Sequence, residues 1–496
     1  MRRTRQWLTA ALLLGGGAAG DAQEHRDWAG TLRTDARAFH DDVAANHPGP
    51  VNAADPGFAR RNDAQLALAL DRARTATSFA DYFFALRLYA ASFDDGHVGF
   101  GVVGKTPEDT RWPGFLTTYD ARGAARVVER AEWAPVPVGA RLLACDGRSA
   151  EWLGAERLGR SWGRWQLESQ RRQWGPLLFV DEGSRYLFRP ARCSFDVDGA
   201  TRTVALDWRP MTTAEFGRRW RAAAPSAAAT YGFAMRTLAD GTRWFSIPSF
   251  DGDPGSTAGK ALPPMIAAMR ADRPAIAAAP AIVLDLRDNG GGSSDWSQQI
   301  AAALWGPAAL TRLPRNRTTV DWRASTTNLA AMETTYAERR DGAGFSPDAR
   351  RWFETTIAGL RGAIARRAPF WHEADDETPP VVPAAAAASS PPLATPVYVL
   401  TDGACASACL DALDLWLALG AIHVGRTTSA DTLYMDTRQF RLPSGLGSVS
   451  VPMKVYRGRP RGDNIPVVPV HRFTGDVADT PALERWIAGL RAAPHR

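Results

Sequence analysis

Lysine is nearly missing from this chain: Lys105, Lys260 and Lys454 are its only three, against a Lys+Arg total of 59. Chemistry that depends on a lysine base therefore has few places to reside. Cysteine is almost as scarce, with four residues, and none falls in a CxxC or CxxC…HxxxH spacing. A zinc site has no ligand set to stand on, and no metal or cofactor is expected. Runs of Lys and Arg are also missing. Of the formal net charge of +6, the first 22 residues supply +2. So small an excess over 496 residues does not suggest a nucleic-acid surface. Beyond the N-terminus no apolar run approaches the roughly 20 residues that a membrane-spanning helix requires, so no stable membrane insertion is expected.

What is present begins with a leader-like N-terminus. MRRTRQ is a basic segment, WLTAALLLGGGAAG is apolar, and Gly20-Asp21-Ala22 has the small-x-small form of a cleavage site. Residues 1–22 are read as a signal peptide, with an uncleaved anchor as the plain alternative, and the expected location is periplasmic or secreted. The cysteines suit such a location. Cys145 and Cys193 lie in strand-like segments of one region, and Cys405 and Cys409 flank Ser407. Pairing as 145–193 and 405–409 is allowed, although spacing alone does not fix connectivity.

The remaining chain divides by pattern into an α/β, multidomain arrangement. Residues 23–100 read as helical: Trp28, Leu32, Phe39 and Val43 share one helical face, and a second helix starts after Ser78 as N-cap. That helix gives way to Asp94-Asp95-Gly96-His97-Val98-Gly99-Phe100, where alternation replaces helical periodicity. Residues 101–212 read as short strands with turn signals, including an Asp146-Gly147 turn and a hairpin around Asp198-Gly199. These strands resemble a PDZ-like module, and Gly114-Phe115 stands where the carboxylate-binding loop of that module would be, as candidate peptide-binding residues. A small β-subdomain without a ligand is the alternative. Residues 213–496 read as an α/β core, with 315–395 as a partly helical insertion ending in a Pro/Ala/Ser-rich linker.

Two segments of the core carry chemistry. The strand ending at Leu400 runs into Thr401-Asp402-Gly403-Ala404-Cys405-Ala406-Ser407-Ala408-Cys409, and Leu410, Leu413 and Leu417 mark a following helix. A serine among small residues at a strand-turn-helix junction suits a nucleophile, because a substrate backbone can approach and the helix N-terminus favours developing negative charge. The same position also suits an ordinary N-cap. The second segment is Asp285-Leu286-Arg287-Asp288-Asn289-Gly290-Gly291-Gly292, a glycine turn at the end of another core strand. Backbone N–H groups in such a turn can face an oxyanion. The GxxxxGK[ST] phosphate loop is absent.

The "DLRxNxGG" turn, the "TDGxxxSA" segment, the "DGHVGF" junction and the PDZ-like region together resemble the tail-specific, or C-terminal-processing, serine peptidases. The nearest branch is the one that includes the tricorn protease core. The resemblance spans roughly residues 25–490 and implies a ClpP/crotonase-like α/β core, polypeptide substrates and an acyl-enzyme mechanism. By motif position it makes Ser407 the nucleophile and the N–H groups of Gly291 and Ala408 the oxyanion donors. One branch of the family uses a serine–lysine dyad, but the stretch Gly425–Thr432 contains no lysine and Lys454 is the only one after Ser407. The other branch takes its base from an N-terminal histidine, which His97 matches, with His471 as competitor. The acid that orients the histidine is matched by Asp463, while Asn464, Asp431 and Asp436 remain open. A non-peptide ester or amide hydrolase, or a catalytically silent binding protein, are the competing readings.

Overall fold

The computed structural model describes residues 26–102, 110–120, 122–224, 232–314, 318–342, 345–373 and 393–492. The expected signal peptide, and most of the expected linker, lie outside the described residues.

Three helices open the described chain, Trp28–Asn46, Phe58–Ala73 and Phe79–Ala91. The first starts where the Asp27 carboxylate accepts the Gly30 N–H at 2.8 Å, a cap worth about 1 kcal/mol. Its face of Leu32, Phe39 and Val43 is fully buried, each side chain contributing about 1.5–3 kcal/mol. Ser78 caps the third helix through the Asp81 N–H at 3.1 Å, as its sequence implies. That helix runs into a tight reversal with Asp94 at φ 52°, and His97 follows immediately. The strand beyond it, Gly99–Val102, pairs antiparallel with the far C-terminal strand Gly447–Arg457, Gly99 opposite Ser450. The histidine segment thus belongs to the core sheet as much as to the helices that precede it.

The middle region is an antiparallel sheet in the order Phe115–Tyr119, Ala125–Arg130, Arg141–Cys145, Arg192–Val197, Ala200–Ala205. Cys145 and Cys193 are directly opposite one another and form a disulfide. The outer edge of Phe115–Tyr119 is covered by the helical segment Glu168–Phe179: the Thr117 hydroxyl donates to the Gly175 carbonyl at 2.9 Å. A Cβ at Gly175 would lie 3.0 Å from the Thr118 Cα. Phe115 is fully buried between Phe179 and Phe195, and the space beside Gly114 is filled by the Trp133 ring. Gly114 and Phe115 are therefore core positions, and the expectation that they bind a peptide terminus is corrected. The cause is compositional. Trp162, Trp165, Trp174, Leu178 and Phe179 need apolar cover, and packing on this sheet supplies it.

The core holds a six-stranded sheet, Ala234–Thr237, Arg243–Ser246, Ile282–Asp285, Val397–Thr401, Ile422–Gly425 and His471–Arg472. All its pairings are parallel except the first. The helices Thr257–Ala271, Asp295–Leu304 and Ala408–Ala418 cover one face, and Thr480–Ala492 covers the other. Burial on both faces explains why Ile282–Asp285 and Val397–Thr401 read as continuous apolar runs rather than alternating ones. A second sheet joins Gly99–Val102, Tyr434–Arg441, Gly447–Arg457, Thr319–Arg323 and Phe370–Glu373. Its last two strands come from the stretch expected to be an insertion. Trp322, Phe353, Leu360 and Met453 bind the described part of that stretch to the core in one apolar cluster, so that part is an integral layer of the core. The expected helix within it runs over Pro347–Ala365.

The Cys145–Cys193 bridge closes a loop with a sequence separation of 48, a closure that restricts the unfolded chain. Its removal in a Cys145→Ala/Cys193→Ala variant should cost about 2–4 kcal/mol. Calorimetry should show the β-subdomain transition moving down; an unmoved transition would show that the bridge contributes nothing.

Candidate active site

The Ser407 segment is built from its strand outward. Beyond Thr401, the Asp402 carboxylate accepts the Ala404 N–H at 2.9 Å and the Asp288 N–H at 3.0 Å. It ties the serine turn to the glycine turn, and burial together with Asp288 pushes its pKa up to about 7. Cys405 and Cys409, both fully buried, form the disulfide allowed by the sequence and straddle Ser407. Ser407 has φ 55° and ψ −127°, a conformation costly for a residue with a Cβ. It stands at the N-cap of Ala408–Ala418, yet its side chain makes no capping hydrogen bond. The N-cap reading therefore fails, and the hydroxyl is left on a strained turn of the kind that presents a nucleophile.

The glycine turn is held from beneath. Asp285 and Arg287 form a buried pair at 2.6 Å, and the Trp244 indole donates to Asp285 at 3.1 Å. Asn289, fully buried, donates to the Ile247 carbonyl at 2.9 Å and accepts the Gly291 N–H at 2.9 Å. Gly291 has φ 96°, and a Cβ there would lie 2.7 Å from both the Ala406 oxygen and the Ser407 Cβ. Glycine is required for this approach. Of the two expected oxyanion donors, the Ala408 N–H meets no acceptor among the described residues. The Gly291 N–H is already given to Asn289, which corrects its expected role: Gly291 provides the close approach rather than a free donor.

His97 is packed among charges. Its Nδ1 lies 3.6 Å from Asp95 Oδ1, an ion-pair distance too long for a hydrogen bond, and its side chain is only 14% exposed. The Asp95 carboxylate is fixed by the His97 N–H at 2.7 Å and the Thr432 hydroxyl at 2.8 Å. Asp431, also buried, accepts the Ser407 N–H at 2.8 Å. Burial is the largest single influence on the imidazole and pulls its pKa down. Asp95 and Asp431 more than offset it, and the pKa is raised above the usual histidine value. Asp431 itself is raised by burial, partly countered by His97, Arg459 and Arg164.

The other candidates separate cleanly. Asp463 accepts the Leu433 N–H at 2.6 Å and is no partner of His97, so the expected third member is corrected: the carboxylate at the imidazole is Asp95. The physical reason is chain geometry, since the 463–464 segment reaches the site through Asn464. Asn464 donates to the Asp94 carbonyl and, by its N–H, to the Asp431 carbonyl, both at 2.8 Å. Asp436 is engaged by Lys454 at 2.9 Å. That lysine is buried among the rings of Trp322, Trp352 and Tyr456. Burial lowers its pKa but Asp436 and Tyr456 outweigh that and raise it, the opposite of what a lysine base requires. His471 is exposed on an edge strand, while burial pulls His47 to about 3 and His423 to about 4. Asp95 was legible in principle, standing two residues before His97 in the same motif. No metal-holding group of three or more His, Cys, Asp or Glu occurs among the described residues.

Residues 245–458 match the model of peptidase family S41. The match lies within the core and covers a little under half of the chain. The match supports a serine-type peptidase. The matched region spans the glycine turn, Ser407 and Asp431, whereas His97 enters from outside it. Among solved structures, mature CPAF matches with TM-score 0.58 and 14% identity over 93% of this chain and 96% of that one. CPAF complexed with lactacystin matches with TM-score 0.56 and 14% identity over 93% and 98%. Both show a shared fold. The tricorn protease matches with TM-score 0.38 and 11% identity over 94% of this chain and 37% of that one, too distant to add to the assignment. No curated protein matches the sequence.

Two substitutions distinguish the carboxylates. Asp95→Asn should lower kcat about 10²-fold or more, as loss of an orienting carboxylate does. It should also move the acid limb of kcat/KM to lower pH, because one of the charges that raises the imidazole pKa is gone. Asp463→Asn should leave both near wild type. The pH-rate profiles of the two variants check this, and the reverse pattern would restore Asp463 as the orienting acid.

Proposed function

We propose that the chain is an exported serine peptidase that hydrolyses peptide bonds of polypeptide substrates through an acyl-enzyme. Ser407 is the nucleophile and His97 the general base. The observation that carries this reading is the position of Asp431, which accepts the Ser407 N–H at 2.8 Å while its charge raises the pKa of His97. One buried carboxylate thus links a strained serine to a histidine from a distant part of the chain. In the proposed cycle, neutral His97 takes the hydroxyl proton as Ser407 attacks the carbonyl and then returns it to the leaving amine. The Ala408 N–H, without an acceptor among the described residues and at a helix N-terminus, supports the oxyanion. Water repeats the sequence on the acyl-enzyme.

Export is supported by the leader-like N-terminus and by the two disulfides, a combination suited to an oxidising compartment. Among the described residues no helix is long and apolar enough to cross a membrane.

The test joins chemistry to location. A fluorophosphonate should label wild type at Ser407, and Ser407→Ala should lose labelling and about 10⁴-fold or more of turnover while its circular dichroism is unchanged. Labelling without cleavage of polypeptides would shift the reading to an ester or amide hydrolase, and no labelling at all to a binding protein. N-terminal sequencing of the exported protein should begin at Gln23; a retained leader would mean an anchor.

A further inference from the structure

The short segment Gly163–Gln166 belongs to the β-subdomain by sequence but lies on the catalytic loops. Gly163 has φ 71° and Arg164 φ 51°, so two successive residues take the left-handed region and turn the chain onto the site. The Arg164 N–H donates to the Asp94 carboxylate, and Gln166 Nε2 donates to the other oxygen of the same group at 3.0 Å. The Arg164 guanidinium then reaches across. Its Nη1 donates to the Ala430 carbonyl at 2.8 Å, one residue before Asp431. Its planar face lies on Gly96, one residue before His97: a Cβ at Gly96 would stand 2.6 Å from Nη1 and 2.7 Å from Cζ. One side chain from outside the S41-matched region therefore bridges the loop that carries the base and the loop that carries the carboxylate under Ser407.

We propose that Arg164 is a positioning residue for the hydrolytic reaction, clamping the His97 loop to the Asp431 loop so that catalysis depends on the docked β-subdomain. This rests on the assignment of Ser407 and His97 above. The charges facing His97 are Asp95 on its own loop, Asp431, and Arg164 itself. Around these stand His47 beside Asp95, and Arg459 and Asp411 beside Asp431. Within that set Arg164 is the cation acting on the imidazole, and it opposes protonation. A role in positioning alone and a role in charge are separable, because lysine keeps the charge but not the planar face or the fork of donors.

The experiment measures kcat, KM and the pH profile on fluorescein-labelled casein, with the fluorophosphonate labelling rate as a second readout. For Arg164→Gln we expect kcat about tenfold lower or more, KM within about threefold, and the acid limb moved up by about half to one pH unit. For Arg164→Lys we expect the limb to return to its wild-type position with kcat still reduced. Wild-type kcat in Arg164→Gln, or a reduced kcat with an unmoved limb, overturns the proposal. Should Arg164→Gln fail to fold, Arg164→Lys decides: wild-type kcat overturns, and reduced kcat at unchanged KM supports. A wild type that neither labels nor turns over sinks the assignment of Ser407, and this proposal with it; labelled wild type with indifferent Arg164 variants sinks this proposal alone.

Discussion

The hydrogen bond from the Ser407 N–H to Asp431 is the contact on which the site depends. A residue with a Cβ does not rest at φ 55° and ψ −127° without something to hold it there. Asp431 accepts the N–H that this conformation turns inward, the glycine turn closes against the other side of the serine, and the helix behind it begins at Ala408. Loosening this bond would let the turn relax toward an ordinary cap. The same carboxylate acts on the imidazole, so the backbone geometry of Ser407 and the raised pKa of His97 share one anchor.

Burying Asp95, Asp431, Arg164, Arg459 and Arg461 in one neighbourhood is unfavourable unless the charges answer one another. They do so in a chain. Arg459 pairs with Asp411 at 2.7 Å on the first turn of the serine helix, and Arg461 reaches Asp411, Asp414 and Asp431 at 3.2–3.8 Å. Arg164 meets the opposite side of the cluster through Ala430. The arrangement is a poor way to gain stability and a good way to fix orientation, since each group has few alternative partners.

What the sequence made legible follows the reach of local signals. The strand-turn-helix junction at Ser407 and the DLRDNGGG glycine turn were readable because each sits in a short motif, whereas the two disulfides were only allowed pairings until the fold brought their cysteines together. The helix-to-strand junction that carries His97 was readable in the same way, from DDGHVGF. Asp463 was not the answer because the partner of a side chain is chosen by tertiary approach, and its neighbour Asn464 occupies the approach instead. Gly114 and Phe115 misled because a glycine before a strand looks alike whether its edge is open or covered, and the cover comes from aromatic residues dozens of positions away. The stretch 315–395 looked like an excursion since its strands are short and half polar; pairing with Gly447–Arg457 became visible only in three dimensions. Arg164 carried no local signal at all.

The pairing of Gly99 with Ser450 has a consequence for the order in which this molecule comes into being. Contacts between segments so remote in sequence form late, because the intervening chain must be gathered first. A growing chain folds from its N-terminus as it is made. His97 is thus synthesised long before Ser407 and Asp431, yet its loop has no strand to lean on until Gly447–Arg457 exists. A nascent or truncated chain that lacks Gly447–Arg457 therefore carries His97 on a loop whose supporting strand has nothing to pair with.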